Sequence, residues 1–118
     1  MKINKTQAFE IARKLAITRP QNLTQHHGCV ILDKSSKVVS IGWNQRKTHP
    51  LQHRFNHRSD LLHAEIDALR KIKHKNPYKL FVVRVNKKGE YMYSKPCTYC
   101  QDAISSFNIK ETYWSGKY

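Results

Sequence analysis

The sequence predicts a three-layer α-β-α sandwich, with a mixed sheet of four to five strands between helices. Stretches with helical apolar spacing alternate with short apolar runs, in the order helix, strand, strand, helix, strand, helix, strand. A chain of 118 residues with 39% hydrophobic content can close one core, and it is too short for a catalytic domain plus a regulatory one. Residues 1–118 are therefore expected to form a single domain, with right-handed crossovers through the helices.

The first element is an amphipathic helix, in which Ala8, Phe9, Ile11, Ala12, Leu15 and Ala16 recur at helical spacing. Asn4 or Thr6 is available as its cap and Pro20 as its stop. After a polar segment, Cys29 to Leu32 and Val38 to Ile41 flank Asp33-Lys34-Ser35-Ser36-Lys37 as a hairpin. Cys29 reads as a small buried hydrophobe. His26 and His27 stand at the strand entrance, where adjacent histidines serve either as rim residues or as metal ligands. Gly42-Trp43-Asn44 closes the second strand.

Gln45 to Ser59 has neither strand nor helix period and reads as a long loop, of the kind that is usually functional or disordered. It carries Arg46, Lys47, Arg54 and Arg58, with His49, His53, His57 and Phe55 between them. Its basic groups suit a substrate phosphate. Phe55 could stack on a base or pin the loop to the core. A helix presenting all three histidines to a second metal is disfavoured by Pro50.

From Asp60 or Leu61 to Lys73, the residues Leu62, Ile66, Leu69 and Ile72 share one helical face, with His63 in the first turn. Lys71, Lys73, His74, Lys75 and Lys79 complement the negative end of that helix. Leu80 to Val85, apolar apart from one arginine, reads as a central strand. Asn86 to Gly89 reads as a turn and Glu90 to Tyr93 as a short return strand. Pro96 is pre-set to start a helix, continued by Ala103, Ile104 and Phe107, and Ile109 to Trp114 is a last strand.

Composition bounds the partners. The 22 Lys+Arg against 8 Asp+Glu give a net charge of +14, which favours phosphate-bearing partners, either nucleotides or single-stranded nucleic acid. Three cysteines give no disulfide framework and point to a reducing cytoplasm. Met1 to Ala8 has no apolar stretch long enough for a signal peptide and no run approaches a membrane span, so a soluble protein with no membrane partner is expected.

The chemistry sits in two motifs, His63-Ala64-Glu65 and Pro96-Cys97-Thr98-Tyr99-Cys100. One imidazole and two thiolates suit a tetrahedral zinc and leave a fourth position for water, as catalytic sites do. Cys97 and Cys100, at i and i+3, share a face over a first helical turn, where helix-end amides favour the thiolates that zinc requires. A bare C-x-x-C can also be a redox dithiol, but the H-x-E partner favours metal. Together the motifs match the signature of zinc-dependent nucleobase deaminases.

On these residues the chain resembles the cytidine and deoxycytidylate deaminase superfamily from about His26 to its C-terminus. The resemblance implies the cytidine-deaminase-like sandwich, Zn2+ held by His63, Cys97 and Cys100, and Glu65 as the catalytic proton shuttle. Asn44, within a Gly-x-Asn that many relatives carry, would contact the sugar, although a turn asparagine is the alternative. The Ala64 amide and a backbone carbonyl at Ser94 or Lys95 would hold the ring edge. Lysine stands before Pro96 where relatives often carry serine or glutamate, so only the backbone role transfers. The fifth strand and terminal helix of many relatives are expected to be missing or replaced. A homo-oligomer is implied.

The expected activity is hydrolytic deamination of a cytosine nucleotide or nucleoside, dCMP to dUMP in the first place, by zinc hydroxide with Glu65 moving protons. Arg46, Lys47, Arg54 and Arg58 would hold the phosphate. The alternatives are a deaminase of single-stranded DNA or RNA, and a zinc-stabilised nucleic-acid-binding module, in which Glu65 would have no purpose.

Overall fold

A computed structural model of the chain describes residues 2–18, 26–47, 50–54, 62–72 and 75–116, with the backbone alone at Gln52 and His53. The elements are α1 (Lys5–Thr18), β1 (His26–Leu32), β2 (Val38–Trp43), α2 (Pro50–Arg54), α3 (Ala64–Leu69), β3 (Lys79–Val85), β4 (Tyr91–Met92), α4 (Thr98–Ser106) and β5 (Glu111–Trp114).

Asn4, not Thr6, caps α1: its Oδ1 accepts from the Gln7 backbone N–H at 2.8 Å while Gln7 Oε1 accepts from the Asn4 N–H at 2.9 Å. Two of the orphan donors of the first turn are thereby satisfied. The β1–β2 hairpin turns where predicted, because Asp33 Oδ1 accepts from the N–H groups of Ser35 (2.8 Å) and Lys37 (3.0 Å).

The sheet has five strands and is mixed. β1 is central, antiparallel to β2 on one edge and to β3 on the other. The far edge of β3 is shared between β5, which runs parallel to Lys79–Val82, and β4, which pairs antiparallel with Arg84 and Val85. The order is therefore β2-β1-β3, followed by β4 and β5 together.

Alternation along the strands divides the core into two layers. Val30, Leu32, Phe81, Val83 and Val85 face α1 through Ala8, Ala12 and Ala16. Cys29, Ile31, Leu80 and Val82 face α3 and α4 through Ala64, Ile66, Ala68, Cys100, Ala103 and Ile104. Small residues set the spacing on both sides. A Cβ at Gly28 would lie 1.9 Å from the Ala12 carbonyl oxygen, and one at Gly42 would lie 2.5 Å from the Ala64 oxygen and the Ala68 nitrogen. α1 and α3 can approach β1 and β2 only because glycine stands at those positions.

Three boundaries differ from the sequence reading. α3 is shorter than Asp60–Lys73: Leu62 forms a bridge with Gln45, their backbones exchanging hydrogen bonds of 2.7 and 3.0 Å, so the chain is still extended one residue before His63. In α4, Pro96 is buried ahead of the N-cap and the helix begins at Thr98. The stretch read as structureless contains α2, which opens on Pro50, where a missing N–H costs nothing, and is anchored by buried Leu51. Phe55, His49, His57, Lys73 and His74, and the side chain of His53, lie outside the described residues. Among the described residues, no helix is long and apolar enough to cross a membrane.

Candidate active site

The amino ends of α3 and α4 bring the two motifs together at one end of the sheet. His63 is the N-cap of α3 (φ −70°, ψ 148°) and Cys97 the N-cap of α4 (φ −67°, ψ 168°). The carbonyl of each accepts the first helical hydrogen bond at 2.9 Å, from Asp67 and Gln101 respectively. Neither side chain caps its own helix. Both side chains are thereby directed to a common point instead of back to the backbone.

Cys100, in the third helical position of α4 and buried, completes the group. The ligand atoms of His63, Cys97 and Cys100 all lie within 4.8 Å of one another, and Cys100 Sγ is 3.2 Å from His63 Nδ1. One imidazole nitrogen and two sulfurs converging at this spacing are a donor set and geometry that fit zinc.

The electrostatics prepare these groups to act as metal ligands. The hydrogen bond from the Cys100 thiol, with further help from the His63 ring and the Cys100 backbone amide, outweighs burial and holds the Cys97 thiol down at about 3. The Cys100 thiol is pushed up, by Cys97 and then by burial, so one proton stays on the pair until a cation displaces it. Burial opposes charge on the His63 ring, yet the Cys97 hydrogen bond and the negative charge of Glu65 raise its pKa overall.

Glu65 is in the first turn of α3, two residues from His63, and only 5% exposed. Burial raises its carboxyl pKa, with the His63 charge acting the other way. A buried carboxyl that can both take and return a proton is what general acid–base chemistry needs.

Asp67, not among the residues singled out above, fixes this helix on the sheet. It is fully buried; its Oδ2 accepts from the Trp43 backbone N–H at 3.1 Å and from Lys71 Nζ at 2.9 Å, and its Oδ1 accepts from Arg70 Nε at 2.7 Å. Lys71 also lies 4.3 Å above the Trp43 ring. The end of β2 and the first turns of α3 are thereby held as one unit. An acidic residue one helical turn before two cations is the only trace of this in the sequence.

The other predicted residues scatter. Asn44 is buried at the end of β2, and its Oδ1 accepts from the His27 backbone N–H at 2.9 Å, tying the two strand ends together. Ala64 is buried in the first turn of α3. Lys95 is exposed and its Nζ lies 5.7 Å from the Trp114 ring centre. The Ser94 hydroxyl donates to the Val82 carbonyl at 3.0 Å, anchoring the chain just before Pro96. Arg46, Lys47 and Arg54 are exposed, and Arg58 lies outside the described residues.

Residues 2–115 match the family described as the cytidine and deoxycytidylate deaminase zinc-binding region. The chain belongs to that family. The fold of this deaminase is shared by cytidine deaminase from Mycobacterium tuberculosis (19% identity, 88% of this chain and 78% of that one, TM-score 0.56). It is shared also by guanine deaminase from Bacillus subtilis (20% identity, 95% of this chain and 64% of that one, TM-score 0.55). A third similar structure is RibD from Acinetobacter baumannii (18% identity, TM-score 0.51), of which the match spans 29% against 95% of this chain. No match is found among curated proteins. Zinc is the cofactor that the family and the His/Cys/Cys group together support.

Proposed function

We propose that this zinc-dependent deaminase acts hydrolytically on a cytosine nucleotide, converting dCMP to dUMP and ammonia. The observation that carries the reading is Glu65: a carboxyl buried beside the His/Cys/Cys group, with its pKa raised by burial, serves proton transfer and has no part in holding a metal.

In this proposal His63, Cys97 and Cys100 hold the metal. Bound zinc supplies Lewis-acid activation of a water molecule near neutral pH. Glu65 takes a proton from the attacking water and passes it to ring N3. As the C4–O bond forms and the C4–N bond breaks, it helps to protonate the departing amine. The dipole of α3 favours ionised Glu65 and negative charge developing beside it. The Ala64 amide and the Lys95 backbone carbonyl hold the ring edge, the latter steadied by the Ser94 anchor. Asn44 contacts a sugar hydroxyl through its side-chain amide. Arg46, Lys47, Arg54 and Arg58 draw the phosphate toward the site by long-range attraction.

The net charge of +14 favours a second reading, a deaminase of single-stranded DNA or RNA. A panel of nucleosides, nucleotides and oligonucleotides, with products read by mass spectrometry across a salt series, separates the two. The proposal expects dCMP to be deaminated with weak salt dependence. Faster turnover of oligonucleotides, with affinity falling at a log–log slope of about −0.7 per phosphate contacted, selects the second. The proposal further places the chain as one domain acting as a homo-oligomer in a reducing cytoplasm. Exposed Tyr91, Met92 and Tyr93 offer apolar surface for self-association, to be read by sedimentation.

A further inference from the structure

One cross-strand ladder on the α3/α4 face of the sheet runs Ile31 opposite Leu80, Cys29 opposite Val82, and His27 opposite Arg84. The first two rungs belong to the core beneath α3 and α4. Side chains alternate along a strand, so the third rung projects from the same face, at the end of the sheet where β2 closes and α3 begins. The intervening residues, Val30 and Val83, point to α1 on the other face.

Three observations place this rung beside the catalytic group. Asn44, at the end of β2, binds the backbone of His27. Burial and then the charges of Arg84, His63 and His26 hold the His27 ring down to about 4, so it stays neutral and the ring is within the reach of the His63 charge. The lid of the face is formed by α3 and α4, whose amino ends carry His63 and Cys97.

Arg84 is half-buried here, and among the described residues no carboxylate pairs with it: the ion pairs are Glu10 with Arg13, and Asp67 with Arg70 and Lys71. A guanidinium set on a sheet strand, partly desolvated and without an anionic partner among the described residues, is a rigid fork for a phosphate. Exposed Arg46, Lys47 and Arg54 can attract an anion, but their fields are screened by salt.

We propose that Arg84, with His27 as its cross-strand neighbour, is the phosphate subsite of this active site and selects a phosphomonoester-bearing substrate over the bare nucleoside. The proposal rests on the dCMP reading for the identity of the substrate, though not for the existence of the anion site.

The test uses the zinc-loaded protein and the Arg84→Gln variant. In a 31P NMR titration, inorganic phosphate is expected to bind the unaltered protein saturably and to lose at least about tenfold in affinity with Arg84→Gln, the loss expected for one charge-assisted contact. The ratio of kcat/KM for dCMP over deoxycytidine should fall by about 10-fold to 100-fold in the same variant and stay low at high salt. Arg84→Lys, which keeps the charge without the fork, should fall between the two. Equal phosphate affinity in both proteins, or an unchanged ratio, overturns the subsite. Turnover of neither dCMP nor deoxycytidine by the unaltered protein contradicts the dCMP reading alone, since the phosphate titration still decides on Arg84.

Discussion

His63 and Cys97 hold equivalent positions on two different helices. Each is an extended N-cap whose carbonyl accepts the first helical hydrogen bond at 2.9 Å and whose side chain declines to cap. The two side chains meet because two helix starts meet. The positive ends of both helices then act on the same small volume, favouring thiolate, carboxylate and any anion that forms there.

The metal is the first consequence of that meeting. Replacing Cys97 and Cys100 together by alanine leaves one imidazole, which cannot retain zinc by itself. Elemental analysis is expected to fall from one zinc per chain to none. Full zinc in the double variant contradicts the ligand set.

The spacing of α1 depends on Gly28. A methyl group there meets the Ala12 carbonyl at 1.9 Å, a clash with backbone that no rotamer relieves. Gly28→Ala is expected to cost about 3 kcal/mol or more, beyond the usual range for overpacking because backbone must move. Urea unfolding checks this, and a change of under about 0.5 kcal/mol would show that α1 does not sit as described.

Asp67 gives a second stability prediction. Asp67→Ala removes the acceptor of three hydrogen bonds and leaves Arg70 and Lys71 without their partner. Those two cations are 22% and 34% exposed, so water recovers part of the loss. The cost is expected at about 2–3 kcal/mol, toward the lower end for a broken buried pair. Because α3 is loosened from β2, zinc affinity should drop as well, read by chelator competition; a variant unchanged in both respects would contradict the anchoring role.

His27 sets an acid limit. Its folded-state pKa, about 4, lies below the 6.5 of an ordinary histidine, so the unfolded chain binds a proton more readily. Stability contributed by the neutral ring is therefore complete above pH 6.5, and is lost as pH falls from there toward 4. His27→Gln should flatten the fall in unfolding free energy across that window. An identical acid limb in the variant would show that the ring is not kept neutral by the fold.

The His/Cys/Cys group of the candidate site was legible in the sequence, since H-x-E and P-C-x-x-C are local patterns tied to local structure. The order of elements followed from periodicity for the same reason. What was missed depends on contacts between distant segments. Leu62 has the spacing of a helical residue, yet its backbone pairs with Gln45, and only the tertiary fold shows that α3 starts later. α2 is too short to show a period. Asp67 has the look of a surface acid in an amphipathic helix until Trp43 is folded against it. Arg84 is one polar residue in an apolar strand, and its place opposite His27 appears only with the register of β1 and β3.

The most direct test of hydrolytic deamination is Glu65→Gln, assayed on dCMP beside the unaltered protein with zinc measured in both. In the proposed mechanism Glu65 moves protons, and His63, Cys97 and Cys100 hold the metal. The variant should therefore fold and keep its zinc, while dUMP and ammonia formation falls by at least about 10²-fold to 10⁴-fold. Near-normal turnover of dCMP by the zinc-loaded variant would contradict the mechanism proposed for this site.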